Sequence, residues 1–282
     1  MAGKISIVFA GGGCRTAWAV GILEELRKEL PPVREWAGVS AGSCMAVAFA
    51  AGRVGEMFDF FLDITSKNPR NVYLERFFGK GKMFPHEPMY RATIAHALKD
   101  GGFEKLRNGA PVRTLLAYVE AGRPVLRTAL GAVFAYNRRK KDGIVHGPEE
   151  NHPGIGMEVR DCREGKTEAE VIETVLRSSA TPPVTGTPRE NGRTYIDGGF
   201  VDNVPVRALS PEAQQGKTFV LLTRPMPKES LPQSSGRFYL APPQDVPIQK
   251  WDYTSPIKLR ATYEMGRASG RTARDAVLRW LS

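Results

Sequence analysis

Ser40 has the sequence setting of a catalytic nucleophile. It is the central residue of G-V-S-A-G, Gly38 to Gly42, and a G-x-S-x-G turn places a serine at a sharp strand-to-helix corner from which its hydroxyl projects. Hydrolase triads of this type follow the order serine, acid, histidine. The best acid candidate is Asp197, and every histidine precedes it: His86, His96, His146 and His152. We therefore expect acyl-transfer chemistry in which a group other than imidazole activates Ser40.

Asp197 is the candidate general base. It opens the sequence D-G-G after a short apolar run, where it would reach the same sheet edge as Ser40. A carboxylate with the reference aspartate pKa of about 3.9 matches a serine hydroxyl poorly, so a Ser-Asp pair requires partial desolvation and a short hydrogen bond. Taken alone, the same Asp-Gly pair would indicate only a turn.

Gly11, Gly12 and Gly13 are the candidate oxyanion hole. Their amides, unshielded by side chains, precede a predicted helix, and such fixed donors stabilise the tetrahedral intermediate of acyl transfer by about 2.7 to 4 kcal/mol each. A tight turn that merely needs glycine is the alternative. A dinucleotide-binding G-x-G-x-x-G fails, because its third glycine would fall at Thr16. Arg15 would brace this loop or contact a phosphate group.

The surrounding segments predict strands and helices of an α/β protein. Each glycine turn follows a short apolar run and precedes a helical pattern, so both turns should open at one edge of a parallel sheet. The predicted strands cover residues 5–10, 36–39, 125–136, 155–162, 194–197 and 219–223. The predicted helices cover 15–30, 44–51, a stretch around 57–61, 168–178 and 256–281, and irregular structure is expected over 225–256.

Composition and cysteine usage restrict the class of protein. Hydrophobic residues make up 41% and charged residues 25% of 282 residues, which excludes a disordered or fibrous chain. No apolar run approaches the roughly 20 residues that span a bilayer. The three cysteines, Cys14, Cys44 and Cys162, cannot all pair, which favours a cytoplasmic location. Export without a cleaved signal peptide would leave the same features.

The formal charge of +10 suggests an anionic partner, with an ordinary solvated surface as the alternative. No nucleic-acid-binding module is recognisable, so we expect peripheral contact with anionic membrane lipid and no nucleic acid. No cluster of His, Cys or carboxylates has ligand spacing, so neither a metal nor another cofactor is expected. The basic residues in question are Arg138 to Lys141, Arg260, Arg267, Arg271, Arg274 and Arg279.

These motifs together resemble the patatin-like phospholipases. Members of that family carry G-G-G-x-R/K-G after the first strand, G-x-S-x-G soon after it, and D-G-G or D-G-A for the second half of a Ser-Asp dyad. The matching segments are G-G-G-C-R-T at 11–16, G-V-S-A-G at 38–42, S-S-A-T-P-P at 178–183, D-G-G at 197–199 and N-V-P at 203–205. The departure is Thr16 in place of glycine. Because a β-branched residue resists positive φ, we expect a slightly different loop path.

Length favours a single domain over residues 1–282. Within it, the looser pattern at about 53–152 indicates a helical cap or insertion, and a C-terminal extension at about 225–282 lies outside the resemblance. The resemblance covers a core of about 5–206 and implies a three-layer α/β/α fold with a mainly parallel central sheet. It implies that Ser40 is the nucleophile, Asp197 the base and Gly11 to Gly13 the oxyanion donors. The phenylalanines of the cap, namely Phe58, Phe60, Phe61, Phe77, Phe78 and Phe84, would line an acyl channel or pack in the core.

The function implied is that of a lipid acyl hydrolase of the phospholipase A, lysophospholipase or esterase type, which cleaves carboxylic esters through an acyl-enzyme. Two alternatives remain at this point. An acyltransferase would use the same dyad, and a catalytically silent lipid-binding module would keep the fold without turnover.

Overall fold

The computed structural model describes residues 3–76, 82–141, 143–148 and 150–282. In these residues the strands are β1 (Ile5–Phe9), β2 (Val33–Val39), β3 (Val112–Val119), β4 (Ile155–Asp161), β5 (Arg189–Glu190), β6 (Arg193–Ile196), β7 (Thr218–Leu221) and β8 (Arg237–Leu240). The helices are α1 (Ala17–Leu26), α2 (Ala41–Ala50), α3 (Val54–Ser66), α4 (His86–Leu98), α5 (Gly102–Asn108), α6 (Val125–Lys141), α7 (Glu168–Ser178), α8 (Pro211–Gln215) and α9 (Pro256–Leu281).

The strands form one mixed sheet whose hydrogen-bonded pairs follow the path β5-β6-β3-β2-β1-β7-β8, and β4 also pairs with β3. Along this path, β6 and β2 pair with different stretches of β3. The pairs β3-β2, β2-β1, β1-β7 and β7-β8 are parallel, whereas β4 and β6 are antiparallel to β3. Helices flank the sheet, as the parallel crossovers require. The prediction of an α/β fold with a mainly parallel central sheet is therefore confirmed.

Side chains alternate between two apolar layers along the central strand β1. Ile5, Ile7 and Phe9 pack into the cluster formed with helices such as α1, α2, α4 and α9. Val8 and the following Ala10 point to the opposite face and join a second cluster. Burial on both faces explains why β1 is apolar apart from Ser6, which is itself buried.

Most predicted elements correspond to observed ones. The strands predicted at 5–10, 36–39, 155–162, 194–197 and 219–223 correspond to β1, β2, β4, β6 and β7, and the helices predicted at 168–178 and 256–281 to α7 and α9. Helix α2 begins directly after Ser40, earlier than predicted. A 3₁₀ turn, Gly13–Thr16, precedes α1, and β8 lies within the segment expected to be irregular.

The predicted strand at 125–136 was wrong, because these residues belong to helix α6. Thr128 and Ala132, one helical turn apart, are buried, so burial follows a helical period, although the stretch from Ala129 to Tyr136 is largely apolar and resembles a strand. The segment 53–152, expected to form a helical cap or insertion, also contributes β3, which lies inside the central sheet.

Candidate active site

Two strands meet end to end beside β3. Strand β2 runs parallel to β3 and ends opposite Leu115, whereas β6 runs antiparallel and ends opposite Ala117. Because β4 occupies the other edge of β3 from residue 113 to residue 119, β2 and β6 share one edge and run toward each other. Ser40 directly follows β2 and Asp197 directly follows β6. The sheet topology thus brings these two residues together.

Ser40 lies at a tight corner between β2 and α2. Its backbone has φ 54° and ψ −131°, a combination that non-glycine residues rarely adopt. The two glycines of the pentapeptide permit close approach: a Cβ at Gly38 would lie 2.5 Å from the carbonyl oxygen of Gly42, and a Cβ at Gly42 would collide with the carbonyl oxygen of Phe9. The corner therefore needs small residues on both sides of the serine.

Hydrogen bonds from neighbouring elements hold this corner. The backbone N–H of Ser40 donates to Ser178 Oγ at 2.9 Å, and Ser178 Oγ donates in turn to the carbonyl oxygen of Leu115 at 2.6 Å. The hydroxyl of Tyr90 donates to the carbonyl oxygen of Ser40 at 3.2 Å. Both partner side chains are buried. Ser178 belongs to the S-S-A-T-P-P segment, but the sequence did not indicate this supporting role.

Ser40 Oγ donates to Asp197 Oδ2 at 2.8 Å. Both residues are almost completely buried, with exposed fractions of 4% and 3%. The amide of Gly199 donates to Asp197 Oδ1 at 2.8 Å, and Thr181 Oγ1 donates to Asp197 Oδ2 at 3.3 Å. The carboxylate is therefore held in a fixed orientation, with one oxygen directed at the serine. Thr181 is a further site residue that sequence reasoning missed.

The glycine loop lies beside this pair, but its three amides are not equivalent. The N–H of Gly11 donates to the carbonyl oxygen of Asn203 at 3.0 Å. The carbonyl oxygen of Gly11 accepts from Asn203 Nδ2 at 3.1 Å and from Thr223 Oγ1 at 2.7 Å. Gly11 is thus committed to holding the loop, which corrects its predicted role as an oxyanion donor. In the described part of the chain, the amides of Gly12 and Gly13 have no such acceptor.

Thr16 does not strain this loop. It adopts the ordinary helical conformation, φ −63° and ψ −16°, and its Oγ1 donates to the carbonyl oxygen of Gly13 at 2.8 Å. The positive φ occurs instead at Gly13, with φ 57°. Arg15 Nε donates to the carbonyl oxygen of Gly12 at 3.3 Å, so this side chain braces the loop. Burial lowers the pKa of Arg15 from its ordinary value, and nearby Arg224 lowers it further.

Two adjoining cavities lie near the serine. The first is lined by Ser40 and Gly13 together with aromatic side chains. The second shares Gly13, Ala41, Tyr90 and Tyr253 with the first. Its remaining walls are mostly apolar and include Val20, Met45, Met57, Phe58, Phe61 and Leu259.

The predicted acyl-channel phenylalanines divide into three groups. Phe58 and Phe61 line the second cavity. Phe60 stacks on His96 with ring centroids 4.3 Å apart, and Phe84 packs near His86 at 6.2 Å, so these two do not line it. Phe77 and Phe78 lie outside the described residues.

His86 lines the first cavity, but its ring is hydrogen-bonded to Trp251 and not to Ser40 or Asp197. Its Nε2 lies 2.9 Å from the carbonyl oxygen of Trp251, and because a carbonyl only accepts, Nε2 carries the hydrogen. Burial lowers the pKa of His86, so the neutral ring is favoured. Among the described residues, no histidine is hydrogen-bonded to Ser40 or Asp197, in line with the order of residues along the chain.

Several predicted lipid-contacting arginines of α9 are paired internally. Arg260 pairs with Asp59 at 3.0 Å, and Arg267 pairs with Glu25 at 3.0 Å. Arg271 likewise pairs with Glu25 of α1 at 3.2 Å, and Arg274 pairs with Glu29, just after α1, at 2.7 Å. These four residues therefore stabilise packing around α9. Of the other basic cluster, Arg138 is exposed, whereas the side chains of residues 139–141 lie outside the described part.

Two absences concern metals and membranes. Within the described residues, no three His, Cys, Asp or Glu side chains group as ligands for a metal ion. None of the described helices combines the length and apolar character needed to cross a bilayer.

Comparison with known proteins identifies one family. The family model of patatin-like phospholipase matches residues 7–210. No curated protein sequence matches the chain. Among solved structures, VipD from Legionella pneumophila is similar with 11% sequence identity and a TM-score of 0.47, over 97% of this chain and 67% of that chain. Because the family match spans most of the chain and all the motifs described above, the protein belongs to the patatin-like phospholipase family.

Proposed function

We propose that the protein is a lipid acyl hydrolase that uses Ser40 as nucleophile and Asp197 as general base. The observation that carries the proposal is the 2.8 Å hydrogen bond from Ser40 Oγ to Asp197 Oδ2, formed between two buried side chains. A nucleophile and a base within hydrogen-bond reach, with the base oriented by further donors, is the arrangement that nucleophilic catalysis requires. Gly199 and Thr181 supply those donors.

The reaction proceeds in two halves. As Ser40 Oγ attacks the ester carbonyl carbon, its proton passes to Asp197 Oδ2, and the carbonyl oxygen becomes an oxyanion beside the amides of Gly12 and Gly13. Collapse of this intermediate breaks the bond to the leaving alkoxide, which takes the proton from Asp197 and leaves an acyl-Ser40. Water then attacks the acyl carbon and gives its proton to Asp197, which returns it to Ser40 as the carboxylic acid departs.

The apolar cavity beside Ser40 is the proposed site of the acyl group. Its lining by Met45, Met57, Phe58 and Phe61 matches a hydrocarbon chain, and it joins the cavity at Ser40 through Ala41. Arg15, on the glycine loop, is the proposed contact for a phosphate group of the substrate.

The conformation of Thr16 favours a catalytic protein over a silent lipid-binding module. A distorted loop was the expected consequence of this departure from the family pattern. Thr16 instead occupies a helical conformation, and its hydroxyl bonds to the loop.

The net charge of +10 suggests that the protein contacts an anionic membrane surface. That membrane surface is the proposed place at which the protein meets its lipid substrate.

Two substitutions test the dyad. Ser40→Ala removes the nucleophile and Asp197→Asn removes the base, so each should lower hydrolysis of a short-chain nitrophenyl ester and of a phospholipid by at least about a thousandfold. Labelling by a fluorophosphonate probe should disappear in Ser40→Ala. Asp275→Asn, at an exposed position of α9, is the charge-matched control and should retain wild-type activity.

Four outcomes would contradict the proposal. Near-normal turnover in the Asp197 variant would show that Asp197 is not the base, and labelling at another serine would show that Ser40 is not the nucleophile. Absence of both turnover and labelling in the wild-type protein would indicate a catalytically silent lipid-binding module. Faster acyl transfer to an added alcohol than to water would make the protein an acyltransferase with the same dyad.

A further inference from the structure

Helix α6 exposes a continuous apolar row. Leu126 is 75% exposed, Leu130 58% and Phe134 83%, at positions one helical turn apart. The opposite side of the helix packs on the protein through Thr128 and Ala132, which are buried. Exposed apolar side chains are normally scattered singly. A row of three on one helix face is therefore a feature that calls for a partner.

Basic side chains border this apolar row. Arg123 precedes α6, Arg127 lies in its first turns and Arg138 lies near its end, and all three are exposed. None of the three guanidinium groups lies within 4.0 Å of a carboxylate of the described residues. The arginines of α9 behave differently, since Arg267 and Arg274 pair with carboxylates across their interface. The charge at α6 thus remains available to an external anion.

The row lies on the side of the molecule where the aspartate of the dyad is held. The ring of Tyr136, on α6, contacts the ring of Phe200 edge to face with centroids 6.1 Å apart. Phe200 ends the 3₁₀ turn Gly198–Phe200, which directly follows Asp197. A cavity beside these rings has Tyr136, Gly199, Phe200 and the 42% exposed Ile144 among its lining residues.

We propose that α6 is a membrane-docking helix that lies in the surface of an anionic phospholipid bilayer. Leu126, Leu130 and Phe134 would enter the boundary between headgroups and acyl chains, and the flanking arginines would contact lipid phosphates. A helix with an apolar face bordered by basic residues binds membrane surfaces through these two contributions. The inference rests on the proposed function, because it names the surface on which that activity meets its lipid.

Charge complementarity selects the bilayer over a second copy of the chain. Two copies that packed their α6 rows together would bring Arg127 and Arg138 of one copy close to the same residues of the other, and like charges at an interface oppose association. An anionic bilayer instead satisfies both the apolar row and its basic border.

The test compares wild-type protein with the triple variant Leu126→Gln, Leu130→Gln, Phe134→Gln. Partition is measured by sedimentation with phosphatidylcholine vesicles, with and without phosphatidylserine, at low and high salt. The control is Leu74→Gln, Ile257→Gln, which removes apolar side chains that are 71% and 81% exposed elsewhere. The single variant Phe134→Gln provides the same test if the triple variant folds poorly.

We expect the triple variant to bind phosphatidylserine-containing vesicles at least about tenfold more weakly than wild type, and the control to bind normally. Arg127→Gln with Arg138→Gln should weaken binding severalfold at low salt and little at high salt, because salt screens exposed charges. Hydrolysis of a soluble short-chain ester should stay at the wild-type rate in all of these variants.

Unchanged vesicle binding by both the triple and the Phe134 variants would overturn the inference, as would a wild-type protein that does not bind vesicles. A wild-type dimer that the triple variant converts to a monomer would assign the row to a contact between copies. The soluble-ester assay separates the two proposals. If wild type binds vesicles through α6 but shows no esterase activity, the proposed function fails and the docking surface stands.

Discussion

The candidate site depends on one residue held in a rare conformation. Ser40 combines positive φ with a hydrogen bond to Asp197, and its own N–H is occupied by Ser178. Such conformations cost about 1 to 3 kcal/mol and persist only where surrounding contacts stabilise them. Ser178 therefore acts as a positioning residue, because it fixes the corner without contacting the reacting atoms.

We predict that Ser178→Ala lowers kcat for ester hydrolysis by about tenfold to a hundredfold and changes KM little. The substitution leaves the buried N–H of Ser40 without an acceptor, which costs about 1 to 3 kcal/mol and allows the serine to leave its aligned position. Steady-state kinetics and the rate of fluorophosphonate labelling measure the effect. Ser178→Thr should restore part of the activity, because it keeps the hydroxyl.

Ser43→Ala is the matched control. Ser43 is as deeply buried as Ser178, but its Oγ approaches the Ser178 Oγ at 3.4 Å and does not contact Ser40. If Ser43→Ala and Ser178→Ala reduced activity equally, the effect would reflect general loss of packing, and the positioning role would be wrong.

Among the elements, the junction of β3 and β4 shows how a buried carboxylate joins neighbouring segments. Asp161 ends β4, and its Oδ1 accepts from the amide of Val112, at the start of β3, at 3.2 Å. Arg163 donates to Asp161 Oδ2 from Nη2 at 2.8 Å and from Nε at 3.1 Å. Burial would raise the pKa of Asp161, but the bonds from Arg163 and Val112 outweigh it and hold this pKa below its ordinary value.

We predict that Asp161→Asn lowers the free energy of unfolding by about 1.5 to 3 kcal/mol at neutral pH, because charge-assisted hydrogen bonds are lost. A depressed folded-state pKa contributes stability above the unfolded-state value of about 3.9, and this contribution disappears as pH falls through the folded-state value. The difference between wild type and variant should therefore shrink below about pH 4.

Urea unfolding at a series of pH values measures this difference. Asp245→Asn, at an exposed position, serves as control and should give a small difference that varies little with pH. A difference for Asp161→Asn that stays constant into acid would show that the carboxylate charge is not what joins β3 to β4.

Over the whole molecule, the C-terminal segment is integrated into the body that carries the site. The family model ends at residue 210, but β7 pairs with β1 in the central sheet. Helix α9 packs closely on α1: a Cβ at Gly266 would collide with the carbonyl oxygen of Trp18, and one at Gly21 with that of Tyr263. The two helix backbones therefore approach each other through glycines.

We predict that Gly266→Val lowers the free energy of unfolding by at least about 2 kcal/mol, because the added atoms meet backbone that cannot move aside without separating α9 from α1. Chemical unfolding followed by circular dichroism measures the loss. Ala268→Val places the same side chain at an exposed position of α9 and should cost less than about 1 kcal/mol. Equal losses in the two variants would indicate helix propensity rather than close packing.

Features encoded in short stretches of sequence could be predicted. The G-V-S-A-G turn, the D-G-G turn and the terminal helix were all recognisable, because backbone conformation and capping depend on residues a few positions apart. Helix α9 begins where expected since Ser255 caps it and Pro256 occupies its first turn. Helix α6 was misjudged for the converse reason: its residues from Ala129 to Tyr136 are mostly apolar in sequence, and only its packing shows which of them face solvent.

The meeting of Ser40 with Asp197 could be proposed from the motifs, but its geometry could not. It depends on β6 pairing antiparallel to β3 and ending head to head with β2, and strand register is set by contacts between distant parts of the chain. The same holds for Gly11, whose amide donates to the carbonyl of Asn203, so that only Gly12 and Gly13 remain as proposed oxyanion donors. Residue types thus specify the available chemistry, whereas long-range pairing specifies which atoms are free to perform it.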